Sequence, residues 1–334
     1  MYYRYKSKRT NRKVYKLLGI FFLIAGCVLV FVEFRQYIFF WKYTSQRLFQ
    51  RVDSISRISD RTARQKDLVS LLKICDDYQN ENQLSPEGFF IAGKAHYLMG
   101  ECCAARSFSE LIINNGLSYS LNEKAHAEFL NAIKCINKGI VLADGGDTDP
   151  QYTILLARAI FYTGYYPNDA VWKIISKIDS FNTIRNSDDI RFIAVQCVLN
   201  GKIEKGLDIL NRYGGVDDTV DGQLFLAAVY ALASRSTNAI MEYKAILKKS
   251  SNSEVLKLAH MNLGKIYFSQ SLYDESLNHF TNALQIDERD MQLKVWIGKS
   301  YSALGNKNRA KAIWSEVLAV DNHNEEVRKL LGFM

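Results

Sequence analysis

Six cysteines and five histidines are the side chains of this sequence best suited to nucleophilic, redox or metal chemistry. Cys27, Cys75, Cys102, Cys103, Cys135 and Cys197 form no C-x-x-C pair, so neither a zinc site nor a thioredoxin-type couple is signalled. Cys102 and Cys103 are adjacent, a poor geometry for a structural disulfide. Cys75, Cys135 and Cys197 read as small core residues. His96, His126, His260, His279 and His323 include no H-E-x-x-H or other close ligand pair and read as surface or packing residues. The D-G-G-D-T-D run at 144–149 looks like a calcium loop but lacks the EF-hand spacing and its closing Glu. It reads as a turn and helix N-cap before Pro150. Tyr213, Gly214 and Gly215, followed by Asp217 and Asp218, read as a similar connecting loop. No phosphate-binding loop or nucleophile elbow occurs. The expectation is a chain that is not an enzyme, with no catalytic residues, no metal ligands and no cofactor.

What recurs instead is a spacing. Leu263 and Gly264 return as Ile297 and Gly298, then as Leu331 and Gly332, each pair 34 residues after the last. Tyr267 returns as Tyr301, and Phe280 as Trp314. A fixed period that keeps small and large side chains at the same offsets implies stacked copies of one supersecondary unit. Only three prolines occur and no strand-like alternation stands out, so the chain reads as all-α.

This spacing resembles the tetratricopeptide repeat, W-x2-L-G-x2-Y, then A-x3-F, then P. One copy spans 257–290, with Ser276-x3-Phe280 and Ala283. The next spans 291–324, with Ala310-x3-Trp314 and Val317. The first Trp is replaced by His260 or Lys294, and the Pro by Glu288 or Asn322. A third copy at 220–253 carries Leu226, Ala227, Tyr230, Ala239-x3-Tyr243 and Ile246, three residues out of phase. Fainter copies are suggested by Ala194, Cys197 and Gly206-x3-Leu210; by Ala157, Phe161 and Ala170-x3-Ile174; and by Ala92, Ala95 and Ala104-x3-Phe108. Residues 119–149 are helical by periodicity but fit no register, and 325–334 read as a truncated cap. The resemblance implies helix hairpins in which Gly264 and Gly298 permit close approach and Phe280 and Trp314 fill the space between hairpins. It also implies that first helices line a concave groove for partner proteins or peptides, here Met261, Lys265, Phe268, Val295, Lys299 and Ser302. Lys265 and Lys299 are then expected in adjacent rows, available to a partner's carboxylate. The two-Asn carboxylate clamp of chaperone-binding repeats is not reproduced: Asn262 matches one slot and Trp296 its counterpart.

The net charge of +8 is not spread evenly, because residues 1–59 hold twelve Lys/Arg and two acids and the remainder is close to neutral. With no basic field on the repeats, no nucleic acid is expected. Residues 1–16 carry seven cations and no acid, and 17–32 are unbroken apolar or small residues. With the aromatics up to Trp41, segment 17–41 reads as a transmembrane anchor. The positive-inside rule then places the tail in the cytoplasm and the repeats in the periplasm of a bacterial inner membrane. A second reading stays open: Ile24, Ala25, Gly26 and Cys27 resemble a lipobox, with Cys27 lipidated. Residues 42–84 read as a helical stalk or first helices, with Leu48, Val52, Ile55 and Ser59 along one seam that either self-associates or folds back.

The architecture expected is an all-α solenoid of tetratricopeptide-type hairpins over 85–334, preceded by a transmembrane helix. The function expected is a membrane-anchored, envelope-facing scaffold or adaptor, acting in assembly of an envelope complex such as a periplasmic flagellar or translocon-associated one. The alternatives are a lipoprotein subunit of an outer-membrane or secretion-pilus assembly, and a cytoplasm-facing regulatory subunit of an enzyme complex.

Overall fold

The computed structural model describes residues 44–114, 121–143, 149–164, 168–178, 184 and 186–332. Every regular element among them is helical. The described residues fall into two compact units, 44–102 with 134–143, and 103–114, 121–133 and 149–332. The expected tail and anchor, and Cys27 with them, lie outside the described residues. Among the described residues no helix is long and apolar enough to cross a membrane.

The first unit holds α1 (Ser45–Ser56), α2 (Arg61–Glu81), α3 (Pro86–Cys103, its final residue excepted) and the end of α5 (Glu123–Leu142). The chain breaks between α1 and α2, where Asp60 caps α2 by accepting from the Thr62 and Ala63 amides at 2.7 and 3.0 Å. The seam therefore stops at Ile55: Leu48, Val52 and Ile55 are buried, whereas Ser59 is exposed beyond the helix end. Cys75 is buried in this unit, and burial, with Asp76 and Cys135 beside it, pushes its thiol up to about 12.

The second unit holds α4 (Phe108–Ile113), the start of α5, and five hairpins. These are α6 (Pro150–Thr163) with α7 (Asn168–Ile175), α8 (Ser187–Leu199) with α9 (Ile203–Arg212), and α10 (Val220–Leu232) with α11 (Ser236–Lys249). α12 (Ser253–Ser269) with α13 (Tyr273–Ile286) and α14 (Met291–Ala303) with α15 (Lys307–Val320) follow, and α16 (Glu325–Leu331) closes the stack. Each first helix starts from a side-chain cap: Asp149, Asn186, Thr219, Asn252 and Asp290, with Asn324 for α16. Within four hairpins the first helix ends in a Schellman turn, in which the amides of Lys202, Arg235, Leu272 and Asn306 donate to the carbonyls of Cys197, Tyr230, Tyr267 and Tyr301 at 2.8–3.0 Å. The left-handed residue of these turns is Gly201, Ser234, Ser271 and Gly305.

In the copy suggested by Ala104-x3-Phe108 the two residues do not share a helix. Ala104 lies in the bend after α3, and Phe108 opens α4, a helix of six residues started by a capping box between Ser107 and Glu110. The third member of the Leu-Gly series also differs in role. Gly332 has φ 79° and ends α16, whereas Gly264 and Gly298 sit within helices, pressed against aromatic rings.

A Cβ on Gly264 would meet the Phe280 ring at 2.7 Å, and one on Gly298 would meet the Trp314 indole Nε1 at 2.2 Å. The rings then reach the next unit. Phe280 packs with Leu293 and Ile297 and stacks on Trp296 at 5.4 Å, and Trp314 packs with Val295 and Val327. The Trp314 indole N–H donates to the Val295 carbonyl at 3.2 Å. Ser276, fully buried, donates to the Gly264 carbonyl at 2.9 Å, which accounts for its place in a slot that favours Ala. Further back, a buried ion pair, Arg158 to Asp189 at 2.5 Å, joins α6 to α8. Gly298→Ala is expected to lower stability by about 1–3 kcal/mol, the range for overpacking a filled core, even though Ala is the better helix former. Denaturant melts of the purified chain check this; an unchanged midpoint would show that Trp314 yields freely.

Candidate functional site

The first helices α6, α8, α10 and α12 follow one another in contact, and α12 meets α14 through Phe268 and Trp296, ring centroids 5.4 Å apart. Their outer face can be located from the inner one. α9 presses on Ala194, Cys197 and Val198 of α8 through Gly206, and α13 presses on Gly264 of α12. At about 100° per residue, Phe192 and Asn262 lie on the opposite sides of those two helices.

That opposite face is occupied. Phe108 of α4 meets Phe192 of α8 and Phe161 of α6 edge-on, at 5.0 and 5.5 Å. α4 also packs on α10, and the Asn262 side-chain amide of α12 donates to the Ile113 carbonyl at the end of α4, at 2.9 Å. A six-residue segment thus crosses four successive first helices. Phe108, Leu111, Ile112 and Ile113 are buried beneath it and Glu110 is exposed. Beside it, Phe129 of α5 stacks on Tyr162 of α6 at 4.6 Å.

The six groove residues expected from the repeat divide. Val295 is 2 % exposed, packed with Ala310, Trp314, Val317 and Val327, and so is not available to a partner. Met261, 34 residues earlier, likewise leans on the core around Phe280 and Leu293. Phe268 is partly exposed and packs edge-on against Tyr273 and Trp296. Lys265 is partly buried; burial pushes its amine down, and Asp290 opposes that shift. Lys299 lies 4.3 Å from the Trp296 ring centre, and its amine reaches Glu326 of α16 at 2.5 Å. Ser302 is partly exposed. The two lysines are therefore unlike: one already holds a carboxylate of the same chain, and the other forms no ion pair among the described residues.

Three features escaped the spacing. Asn262 holds a main-chain carbonyl that comes from 149 residues away. α4 itself carried a signal, since Ser107-x-x-Glu110 before Leu-Ile-Ile is a helix start. His260 and His279, 19 residues apart, meet Nδ1 to Nδ1 at 2.9 Å across α12 and α13, with Tyr267 stacked on His279 and Lys244 close by. One ring must carry the Nδ1 proton and the other accept it.

No group of three or more metal-ligating side chains converges among the described residues. Of the 144–149 run only Asp149 is described, and it caps α6. In the 213–218 loop, the Gly215 carbonyl accepts from Arg191 and Asp217 bonds Thr219, leaving a tethered connection rather than a ligand ring. A polar cleft of about 400 Å³ beside α9 is crossed by the Arg235–Glu204 ion pair, and Asp208 on its wall pairs with Arg212.

No protein-family model matches the chain, and no curated protein sequence matches it. Solved structures do. A tetratricopeptide repeat protein from Parabacteroides merdae is similar over 86 % of this chain and 97 % of its own, with TM-score 0.51 and 10 % identity. PilW, described as a type IV pilus biogenesis factor, is similar over 68 % of this chain and all of its own, with TM-score 0.48 and 13 % identity. A tetratricopeptide repeat protein from Cytophaga hutchinsonii is similar over 84 % and 98 %, with TM-score 0.47 and 11 % identity. The likeness is one of fold: an all-α array of tetratricopeptide-type hairpins.

The histidine pair carries a pH dependence. Burial, then the charges of His260 and Lys244, push His279 down from 6.5 to about 4, and burial lowers His260. The unfolded chain therefore binds more protons than the folded one once pH falls below about 6.5. The pair's contribution is whole above about pH 6.5 and is lost as pH falls toward 4. Thermal melts from pH 7.5 to 4.5 are expected to show Tm falling in the native chain and falling less in His279→Phe; equal slopes would refute the assignment.

Proposed function

We propose that this chain is a protein-binding scaffold tethered at a bacterial membrane, which takes partner proteins on the outer face of its first helices. The observation that supports it most directly is α4: this face holds a short apolar helix by burying its side chains and bonding its last carbonyl. The repeats supply stacked hairpins, and such arrays present an extended binding surface. Beyond α4 the first helices carry Lys265, a half-buried cation, with Phe268 and Ser302 as a partly exposed ring and hydroxyl, the ring leaning on Tyr273 of α13. An aromatic and a cation together are suited to an acidic or C-terminal carboxylate segment with apolar neighbours.

The tether rests on the seven cations of residues 1–16 followed by the apolar run 17–32. That order favours a cytoplasmic N-terminus, with the repeats across the membrane. A role in assembling an envelope complex follows from a binding array held at a membrane surface.

A photo-crosslinker at Phe268 in native membranes is expected to capture discrete protein partners, with yield falling at least tenfold on Lys265→Glu. Yield unaltered by that charge reversal would move the binding surface elsewhere. The intact mass of the mature chain is expected to retain Met1. Loss of residues 1–26 with lipid on Cys27 would replace the membrane span with a lipid anchor.

A further inference from the structure

α4 is six residues long, and both its ends are closed by side chains of its own capping residues. Ser107 and Glu110 exchange bonds with each other's amides at the start, and the Asn114 side chain donates to the Glu110 carbonyl at the finish. Its contacts run across α6, α8, α10 and α12, on the side turned away from α9 and α13. Apolar positions fall at i, i+3, i+4 and i+5, and the polar positions Ser109 and Glu110 are partly or fully exposed. That is how an amphipathic helix lies in a groove. The bond from Asn262 is of the same kind. It satisfies a carbonyl that has no partner within its own helix, as every helix end presented to a receptor requires. With α4 in place Asn262 is only 2 % exposed and lies beside Tyr243.

We propose that α4 is a ligand held in cis, and that the partner class this groove fits is a short amphipathic helix with a phenylalanine three and four residues ahead of aliphatic side chains. An external helix of this kind takes the α4 seat when α4 leaves it, replacing Phe108 against Phe161 and Phe192 and presenting its terminal carbonyl to Asn262. The proposal rests on the scaffold reading and specifies its ligand. Occupation in cis acts as competition: a tethered segment has a high effective concentration, which lowers the apparent affinity for any external helix.

The first test uses the native full-length chain. Amide hydrogen exchange is expected to release the amides of 111–114 at least tenfold faster than those at the centres of α8 and α10, through an opening smaller than global unfolding. Exchange of all three together would make α4 an integral core element and overturn the proposal. The second test titrates a labelled peptide of residues 104–114 into the native chain and into Phe108→Ser/Ile112→Ser, with circular dichroism confirming the helical fold. At least tenfold tighter binding to the variant is expected, weakened again by Asn262→Ala in the variant background. Equal affinity for both chains overturns the proposal. Where the double variant fails to fold, Asn262→Ala in the native chain takes its place: faster exchange confined to 110–114 supports the cis ligand, and no change overturns it. Partner capture at Phe268 is read separately, so a silent peptide titration leaves the scaffold reading standing.

Discussion

The C-terminal hairpins depend on a contact that only a missing side chain permits. Gly264 and Gly298 leave room for the Phe280 and Trp314 rings to lie on the backbone of the first helix. Each ring is therefore buried from both sides, by its own hairpin and by the next. Burying a side chain of that size stabilises by about 1.5–3 kcal/mol. Because the ring is shared, this energy is also the coupling between neighbouring repeats, the quantity that makes a solenoid cooperative. The α8–α9 hairpin obtains its close approach in the reverse sense, from Gly206 on the second helix against the Ala194 carbonyl. The geometry is preserved although the glycine has changed helices, and this is why the repeat fades from the sequence there before it fades from the structure.

The polar positions that could receive a partner are in part already used. Asn262 holds the Ile113 carbonyl, and Lys299 holds Glu326. Both partners come from the same chain, one from α4 and one from α16. The chemistry anticipated for the groove, an amide for a main-chain oxygen and a lysine for a carboxylate, is present; the source of the oxygen and of the carboxylate is intramolecular. Lys265 remains, pressed into apolar surroundings with Asp290 opposing the resulting shift. Its amine is the one in the expected groove for which an external carboxylate would replace an energetic cost with a pair.

Much of the fold could be read from offsets between residues in sequence, and the site could not. Leu-Gly, Tyr and the aromatic ring recur because each is needed within one hairpin, and the Tyr267 and Tyr301 carbonyls also anchor the turn that follows. Ala104-x3-Phe108 keeps the spacing of a second helix, yet only Phe108 is helical, because the capping box at Ser107 starts α4 after Ala104. Gly332 fits the period and yet ends a helix, because a residue after the last turn answers to the C-cap rather than to a ring across from it. Val295 was misplaced for a related reason. Carrying a position over by 34 residues assumes an open flank, but α16 and Val327 cover it. Asn262 with Ile113, and His260 with His279, are meetings through space that no period encodes.

One sign of the covered face was present in the composition of the first helices themselves. A first helix with one open side needs a polar stripe. Residues 154–160 of α6 and 192–198 of α8 are buried without a break, close to two full turns each, so no face of either helix is open. Arg158 and Gln196 interrupt these runs, and Arg158 is tolerated through its bond to Asp189. α14 is different: Gln292, Lys294, Lys299 and Ser302 punctuate its apolar residues, and their side chains are exposed to varying degrees. An unbroken apolar first helix in a hairpin array requires a third layer against it, and in this chain α4 and the start of α5 supply that layer. The change from unbroken to striped helices falls at α12, whose Asn262 ends the covered stretch and whose Lys265 and Phe268 begin the open one.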